Sequence, residues 1–130
     1  MGFAVRTVLD TSILITSDVP PIDGEVAISA VSLAELHFGL LAATTADQRA
    51  QRLQRLIAVE RKFEPLPVDA GVARSYGQLA AAVRAYGRKL QPRALDLMIA
   101  ATAHANNARL LTRNADDLRG IEHLLEFDTI

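Results

Sequence analysis

Four acidic residues occupy positions from which they could together bind a cation. Asp10 directly follows an apolar segment, Asp96 lies near the start of an Ala-rich apolar segment, and Glu35 and Asp117 lie near the starts of helical segments. In an open α/β sheet, ligands bind where strand ends and helix N-termini meet. Carboxylates gathered there repel one another unless a cation lies between them, and oxygen ligands suit Mg²⁺ or Mn²⁺. The pattern therefore indicates a site for a hard divalent ion.

Helix capping is the alternative interpretation of these acids, because Asp and Glu are favoured near helix N-termini. Ser32 and Glu35 have the spacing of a capping box, and Asn114 and Asp117 have the same spacing. Taken singly, these two pairs are predicted to be caps. Asp96 is the hardest acid to explain in this way, since unpaired acids avoid apolar surroundings.

Composition excludes several classes of protein. The chain has 130 residues, half of them hydrophobic, and no cysteine, which predicts one domain over residues 1–130 and excludes disulfide scaffolds and thiolate zinc sites. The motifs of P-loop ATPases, Rossmann dinucleotide-binding proteins, α/β-hydrolases and zincins are absent. His37, His104 and His123 lack ligand spacing and receive no role. Without a signal peptide or an 18-residue apolar run, the chain is expected to be cytoplasmic, with no membrane partner.

The net charge of −1 conceals an uneven distribution of charge along the chain. Residues 1–43 carry −4 and residues 94–130 carry −3, whereas residues 44–93 carry +6. The basic segment is therefore a candidate surface for a phosphate-containing partner. Four basic residues of this segment lie shortly before Asp96 and are the best placed to contact nucleic acid. A solvated turn is an equally good interpretation of the same residues, which are Arg84, Arg88, Lys89 and Arg93.

Alternating strand and helix patterns predict a parallel sheet covered by helices on both faces. Strands are expected at residues 4–9, 26–28, 66–68, 110–112 and 124–127. A short helix begins near Ile13 with Asp10 or Ser12 as its cap, and the next helix runs from Ser32 towards Leu41. Residues 18–24 are predicted to be a loop.

The remaining helices are predicted from apolar periodicity and capping residues. Thr45 caps a long helix that ends at Pro65 and Pro67, and its apolar stripe includes Leu53 and either Leu56 or Ile57. Asp69 caps another helix whose core stripe ends at Tyr86, before Gly87. Residues 94–105 form a buried helix, and residues 114–118 form a helical turn.

Four blocks of sequence resemble the signature blocks of PIN domains, and more narrowly those of VapC-type toxins from bacterial toxin–antitoxin pairs. These blocks occur in the family's order and span nearly the whole chain: VLDTSILI at residues 8–15, SAVSLAELHFG at 29–39, DLMIAATA at 96–103 and LTRNADDL at 111–118. The resemblance implies a PIN-like three-layer α/β/α fold with a central, mainly parallel sheet of four to five strands. It also implies a metal-dependent endoribonuclease that uses Mg²⁺ or Mn²⁺.

The resemblance assigns the catalytic and metal-binding roles to the same four acids. Asp10, Glu35 and Asp96 match the family's first three acids, and Asp117 matches the fourth, with Asp116 as a competitor. Leu118 departs from the family's more frequent Phe at that position. The hydroxyls expected to support the site through hydrogen bonds are those of Thr11, Ser12 and Thr112.

The resemblance further implies an RNA substrate (tRNA, rRNA or mRNA), a homodimer and a cognate VapB-type antitoxin that neutralises the enzyme. Metal-activated water would leave a 5′-phosphate and a 3′-hydroxyl. One alternative is a PIN-like module that binds RNA or protein without cutting. Another is a response-regulator receiver, which needs a Lys at a late strand end, whereas Lys62 and Lys89 lie in helix or turn contexts.

Overall fold

A four-stranded parallel sheet forms the centre of the molecule. The computed structural model describes residues 6–16 and 19–130. Its strands are β1 (Arg6–Leu9), β2 (Glu25–Ile28), β3 (Arg109–Thr112) and β4 (Phe127–Thr129), arranged in the order β2-β1-β3-β4. All three neighbouring pairs are parallel, so the carboxyl ends of the strands lie along one edge.

In the part of the chain that the structure describes, five α-helices and two short 3-10 turns connect the strands. The helices are α1 (Thr11–Leu14), α2 (Ala30–Leu41), α3 (Ala46–Lys62), α4 (Ala70–Ala85) and α5 (Ala94–Ala105). The 3-10 turns are Gln91–Arg93, which leads into α5, and Ala115–Leu118, which follows β3. Within the described residues, no helix combines the length and apolar character needed to cross a membrane.

Successive side chains of the central strands enter two separate apolar clusters. Val8 and Leu110 pack with residues of α4 and α5, whereas Leu9 and Leu111 pack with residues of α1, α2 and α3. This alternation is the period of two that a β-strand imposes on its side chains. It confirms the three-layer α/β/α arrangement with helices on both faces of the sheet.

Several predicted elements are confirmed. The predicted buried helix over residues 94–105 coincides with α5, and Thr45 and Asp69 cap α3 and α4 by accepting backbone N–H groups. Gly87 follows α4 with φ +98°, a left-handed conformation that glycine adopts without a steric penalty.

Other predictions about the strands are wrong in position or extent. Residues 66–68 form no strand, because only Leu66 pairs with the sheet, through an isolated bridge to Ser29. The last strand begins at Phe127, three residues later than predicted. Residues 4 and 5 of the predicted first strand, and Asp18 of the predicted loop, lie outside the described residues.

Two predictions about apolar helix faces are also wrong in part. In the predicted stripe of α3, Leu56 is buried as predicted, whereas Leu53 and Ile57 are exposed, and Val59 is the other buried residue of that helix. Tyr86 is 60% exposed instead of extending the core stripe of α4, because the helix ends at Ala85.

Candidate active site

Asp10 lies at the carboxyl end of β1 and is held by two hydroxyl groups. Its side chain is buried, and its Oδ2 accepts hydrogen bonds from Ser12 Oγ and Thr112 Oγ1, both at 2.8 Å. Asp10 occupies the N-cap position of α1, but its carboxylate makes no capping hydrogen bond. Both hydroxyls donate to the same oxygen, so within the described residues Oδ1 receives no donor from the protein. That oxygen remains available for a ligand.

Backbone N–H groups from the segment after β3 fix the direction of these two hydroxyls. Ser12 Oγ accepts from the Arg113 N–H at 3.1 Å, and Thr112 Oγ1 accepts from the Asn114 N–H at 3.0 Å. Each hydroxyl has only one hydrogen to donate, and that hydrogen goes to Asp10. Two strand ends are thereby joined around one carboxylate, which supports the roles expected for Ser12 and Thr112.

Glu35 belongs to a second hydroxyl network and is not part of a capping box. The N-cap of α2 is Ser29, whose Oγ accepts from the Val31 N–H, so Ser32 lies inside the helix and is fully buried. The predicted capping box of Ser32 and Glu35 is therefore wrong. Instead, Thr11 Oγ1 donates to Glu35 Oε1 at 2.7 Å and lies 2.9 Å from Ser32 Oγ.

Since the Thr11 hydrogen goes to Glu35, the hydroxyl of Ser32 must donate to Thr11. Ser32 thus supports Glu35 through Thr11. This role of Ser32 was not predicted from the sequence, where the available signal was a serine within the largely apolar run of α2.

Asp96 lies in the first turn of α5 and is the most strongly perturbed acid of the site. Its pKa is raised to about 6, first by burial and then by the negative charges of three other acids: Asp117, Asp10 and Glu35. The positive charge of Arg93 acts in the opposite direction. The other three predicted acids are therefore close enough to Asp96 to affect its pKa.

Asp116 and Asp117 have different surroundings, although they are neighbours in sequence. Asp116 is exposed and forms ion pairs with Arg88 at 3.2 Å and with Arg119 at 2.8 Å. Asp117 is partly buried, and its pKa is raised first by that burial and then by the charge of Asp10. These surroundings favour Asp117 over Asp116 as the fourth acid of the site.

The predicted cap at Asn114 is also wrong. Asn114 occupies the N-cap position of the turn Ala115–Leu118, but its side chain makes no capping hydrogen bond. The turn is instead stabilised by Arg88, which donates to the backbone carbonyl and to the carboxylate of Asp116. Arg88 was predicted only as a possible phosphate contact, because the sequence gives no sign of its pairing with a residue 28 positions away.

The four carboxylates fit a hard divalent ion by the chemistry of their oxygen atoms. Within residues 6–16 and 19–130, no three acidic or imidazole side chains form a preassembled metal-binding cluster. Mg²⁺ does not require such a cluster, since it commonly retains several waters and uses one or two protein carboxylates. A cation bound there would offset the negative charges that, after burial, raise the pKa of Asp96.

Known proteins share this sequence over most of its length. The family model described as PIN domain matches residues 7–124. Ribonuclease VapC5 of Mycobacterium tuberculosis is 41% identical over 115 residues, covering 84% of this chain and 83% of the relative. Ribonuclease VapC4 of the same organism is 34% identical over 117 residues, covering 85% of this chain and 88% of the relative.

A solved structure shares the fold over nearly the full length. It is the crystal structure of VapBC-5 from Mycobacterium tuberculosis, a member of the VapBC family of toxin–antitoxin systems. The matched chain has a TM-score of 0.83 and 38% sequence identity, and the match covers 97% of this chain and 98% of that chain.

Proposed function

The chain belongs to the PIN-domain family, and from this premise we propose that it is a VapC-type, metal-dependent endoribonuclease neutralised by a cognate VapB-type antitoxin. The observation that carries the proposal is the pair of hydroxyl networks at the carboxyl end of β1, in which Ser12 and Thr112 hold Asp10 and Thr11 holds Glu35. Relatives named ribonuclease, at 41% and 34% identity, support the same activity.

The catalytic and metal-binding residues of this proposal are Asp10, Glu35, Asp96 and Asp117. The metal is Mg²⁺ or Mn²⁺, which when bound lowers the pKa of a water molecule and stabilises charge on the phosphate. The protein's contribution is to hold the carboxylates in place. Ser12 and Thr112 orient Asp10, and Thr11 orients Glu35, so the oxygen ligands need little rearrangement to bind the ion.

A matched pair of variants tests the site. Asp117→Asn and Asp116→Asn remove one charge each from adjacent positions of the same turn. We expect Asp117→Asn, like Asp10→Asn and Asp96→Asn, to lose at least about 10²-fold in RNA cleavage with Mg²⁺ or Mn²⁺. Asp116→Asn is expected to retain most of the activity, because Asp116 forms ion pairs at the surface.

Three results would refute the nuclease proposal. A folded Asp10→Asn, Asp96→Asn double variant that cleaves as fast as the parent would exclude these acids from catalysis. Products ending in a 2′,3′-cyclic phosphate would exclude attack by water. If the parent cuts no RNA offered but still binds it, the chain is a non-catalytic PIN-like binding module.

The partner of the proposed enzyme is an antitoxin that covers the surface of α2. Phe38 and Leu41 of this helix are 72% and 81% exposed, and Phe38 follows Glu35 by about one turn. A protein segment that buries these two side chains would therefore pass beside the carboxylate site. Replacing both with serine is expected to abolish co-purification with the antitoxin while leaving RNA cleavage intact.

The RNA substrate can be identified by sequencing RNA ends after expression without the antitoxin. This measurement distinguishes tRNA, rRNA and mRNA targets.

We further propose that residues 1–130 are a single PIN domain and that the enzyme is a homodimer. As an enzyme acting on cellular RNA, it works in the cytoplasm. Sedimentation measures the oligomeric state directly.

A further inference from the structure

The turn that carries Asp117 depends on other parts of the chain for its position. It is the four-residue 3-10 segment Ala115–Leu118, and its N-cap residue Asn114 makes no side-chain hydrogen bond to it. A 3-10 segment has poorer hydrogen-bond geometry than an α-helix, so one this short is weakly held by its own bonds. The other three acids of the site lie instead at the end of β1 or within α2 and α5. Contacts that fix this turn therefore decide where the carboxylate of Asp117 points.

Arg88 holds the peptide group directly before Asp117. Its Nη1 donates to the backbone carbonyl of Asp116, and its Nη2 donates to the carboxylate of Asp116 at 3.2 Å. That carbonyl belongs to the peptide bond between Asp116 and Asp117, and the N–H of the same peptide group donates to the carbonyl of Asn114 at 3.0 Å. Since a peptide group is planar, bonds at its oxygen and at its N–H fix its orientation. The backbone that aims the Asp117 side chain is therefore held from both sides.

Arg88 is itself well fixed as an anchor. It follows α4, and its backbone N–H donates to the carbonyl of Val83 at 3.1 Å after Gly87 turns the chain at φ +98°. Its side chain is only 15% exposed, so water competes little for the guanidinium group. Charge-assisted bonds from a planar guanidinium to two oxygens of one residue also add geometric specificity. Arg88 therefore joins the turn firmly to the end of α4.

A second contact joins the segment after the turn to the same end of α4. A Cβ on Gly120 would lie 3.0 Å from Tyr86 Cβ and 3.4 Å from Val83 Cα, so the backbone of this glycine lies directly against the end of the helix. The chain is thus docked on the C-terminal end of α4 both before and after Asp117.

We propose that Arg88 is a positioning residue of the carboxylate site, which directs the carboxylate of Asp117 towards the divalent ion by holding the peptide group before it. The inference rests on the proposed function, since that function makes Asp117 a ligand. Arg88 acts through Asp117 and reduces the rearrangement that this acid needs to bind the ion. Removing a partner that orients a metal ligand typically lowers metal affinity or activity by about 10–100-fold.

This role separates the effects of substitutions at the two ends of the contact. Asp116→Asn leaves a backbone carbonyl and a side-chain amide oxygen, and both can accept from the guanidinium group. Loss of the Arg88 guanidinium removes both bonds at once. We therefore expect Asp116→Asn to bind Mn²⁺ as the parent does, whereas Arg88 variants should bind it more weakly.

Three further variants test the role. Arg88→Met removes both donors and keeps an apolar stem, Arg88→Lys keeps the charge without the planar fork, and Arg119→Gln is the matched control. Arg119 also pairs with Asp116, at 2.8 Å, but it is exposed and the pair spans only three positions, so it does not join the turn to α4. Mn²⁺ affinity is measured by water-proton relaxation without RNA, and thermal unfolding in EDTA shows whether each variant is folded.

We expect Arg88→Met to bind Mn²⁺ about 10-fold more weakly than the parent. Arg88→Lys should lie between the two, because a lysine cannot contact both oxygens in the fork geometry. Arg119→Gln should match the parent. A role limited to stability would lower the melting temperature and leave the Mn²⁺ affinity of the folded variant unchanged, which would overturn the proposal. If Arg88→Met does not fold, Arg88→Lys takes its place, and the parent's affinity in that variant would overturn the proposal equally.

A double-mutant cycle shows whether Arg88 acts through Asp117. In an Asp117→Asn background, Arg88→Met should cause no further loss of Mn²⁺ affinity, because the ligand that it positions is gone. A further loss of about 10-fold in that background would overturn the proposal. RNA cleavage tests the proposed function separately: a parent that cuts no RNA refutes the nuclease, and the Mn²⁺ titration still decides the role of Arg88.

Discussion

Neutralising Asp96 should stabilise the metal-free protein while it abolishes activity. Burial and the neighbouring acids raise the pKa of Asp96 from 3.8 to about 6, so keeping it ionised in the folded state costs free energy at neutral pH. A shift of about two pKa units corresponds to at most about 3 kcal/mol. Because the side chain is only partly buried, solvent and salt screening reduce this to about 1–2 kcal/mol. Asp96→Asn removes that cost.

The sign of this effect follows from the raised pKa. Well below pH 3.8 the carboxyl is protonated in both the folded and unfolded states, and the substitution should change stability little. Between about pH 3.8 and 6 the unfolded chain releases its proton while the folded parent still holds it, so the parent loses stability as pH rises, and above about pH 6 the loss is complete. The difference in free energy of unfolding between Asp96→Asn and the parent should therefore be small at pH 4 and have its full value at pH 7.5.

The assay is thermal and urea unfolding in EDTA at both pH values. At pH 7.5 the melting temperature of Asp96→Asn should exceed that of the parent by about 3–8 °C, given the size of the domain. Asp116→Asn is the control and should not gain stability, because it loses surface ion pairs. Excess Mg²⁺ should stabilise the parent more than the variant, since Asp96 is a proposed ligand. A variant no more stable than the parent at pH 7.5, or equally stabilised at pH 4, would refute the electrostatic argument.

Three further substitutions test the supports of the site and of the fold. Thr112→Val removes one of the two donors to Asp10 and should lower the cleavage rate of the folded protein about 10-fold. A rate equal to the parent's would show that this hydrogen bond does not position the carboxylate. Ser29→Ala removes the N-cap of α2 and should cost about 1 kcal/mol in urea unfolding, and no loss would mean that the cap contributes nothing. Gly120→Ala should destabilise by more than about 1 kcal/mol, because φ is +96° and the new Cβ would lie 3.0 Å from Tyr86 Cβ; equal stability would contradict this steric argument.

The sequence predicts the positions of the acids better than it predicts the helix caps near them. A parallel sheet places the ends of β1 and β3 along one edge, so Asp10 and the turn after Thr112 can be brought together from topology alone. The capping box at Ser32 satisfies the same local pattern as a true cap, but Ser29 comes directly after β2 and is where the chain turns. The decisive contact of Glu35 is with Thr11, 24 residues away, and no local pattern contains that information.

The same limitation applies to the basic middle segment. Its charge of +6 predicts a surface for phosphate, but charge along a sequence does not show which arginines remain unpaired. Arg52 donates to the backbone carbonyl of Gly39 and Arg88 is paired with Asp116, so part of this positive charge stabilises the fold. The affinity for RNA should therefore depend less steeply on salt than a count of six excess charges would predict, because arginines already paired within the protein contribute little to the release of counterions.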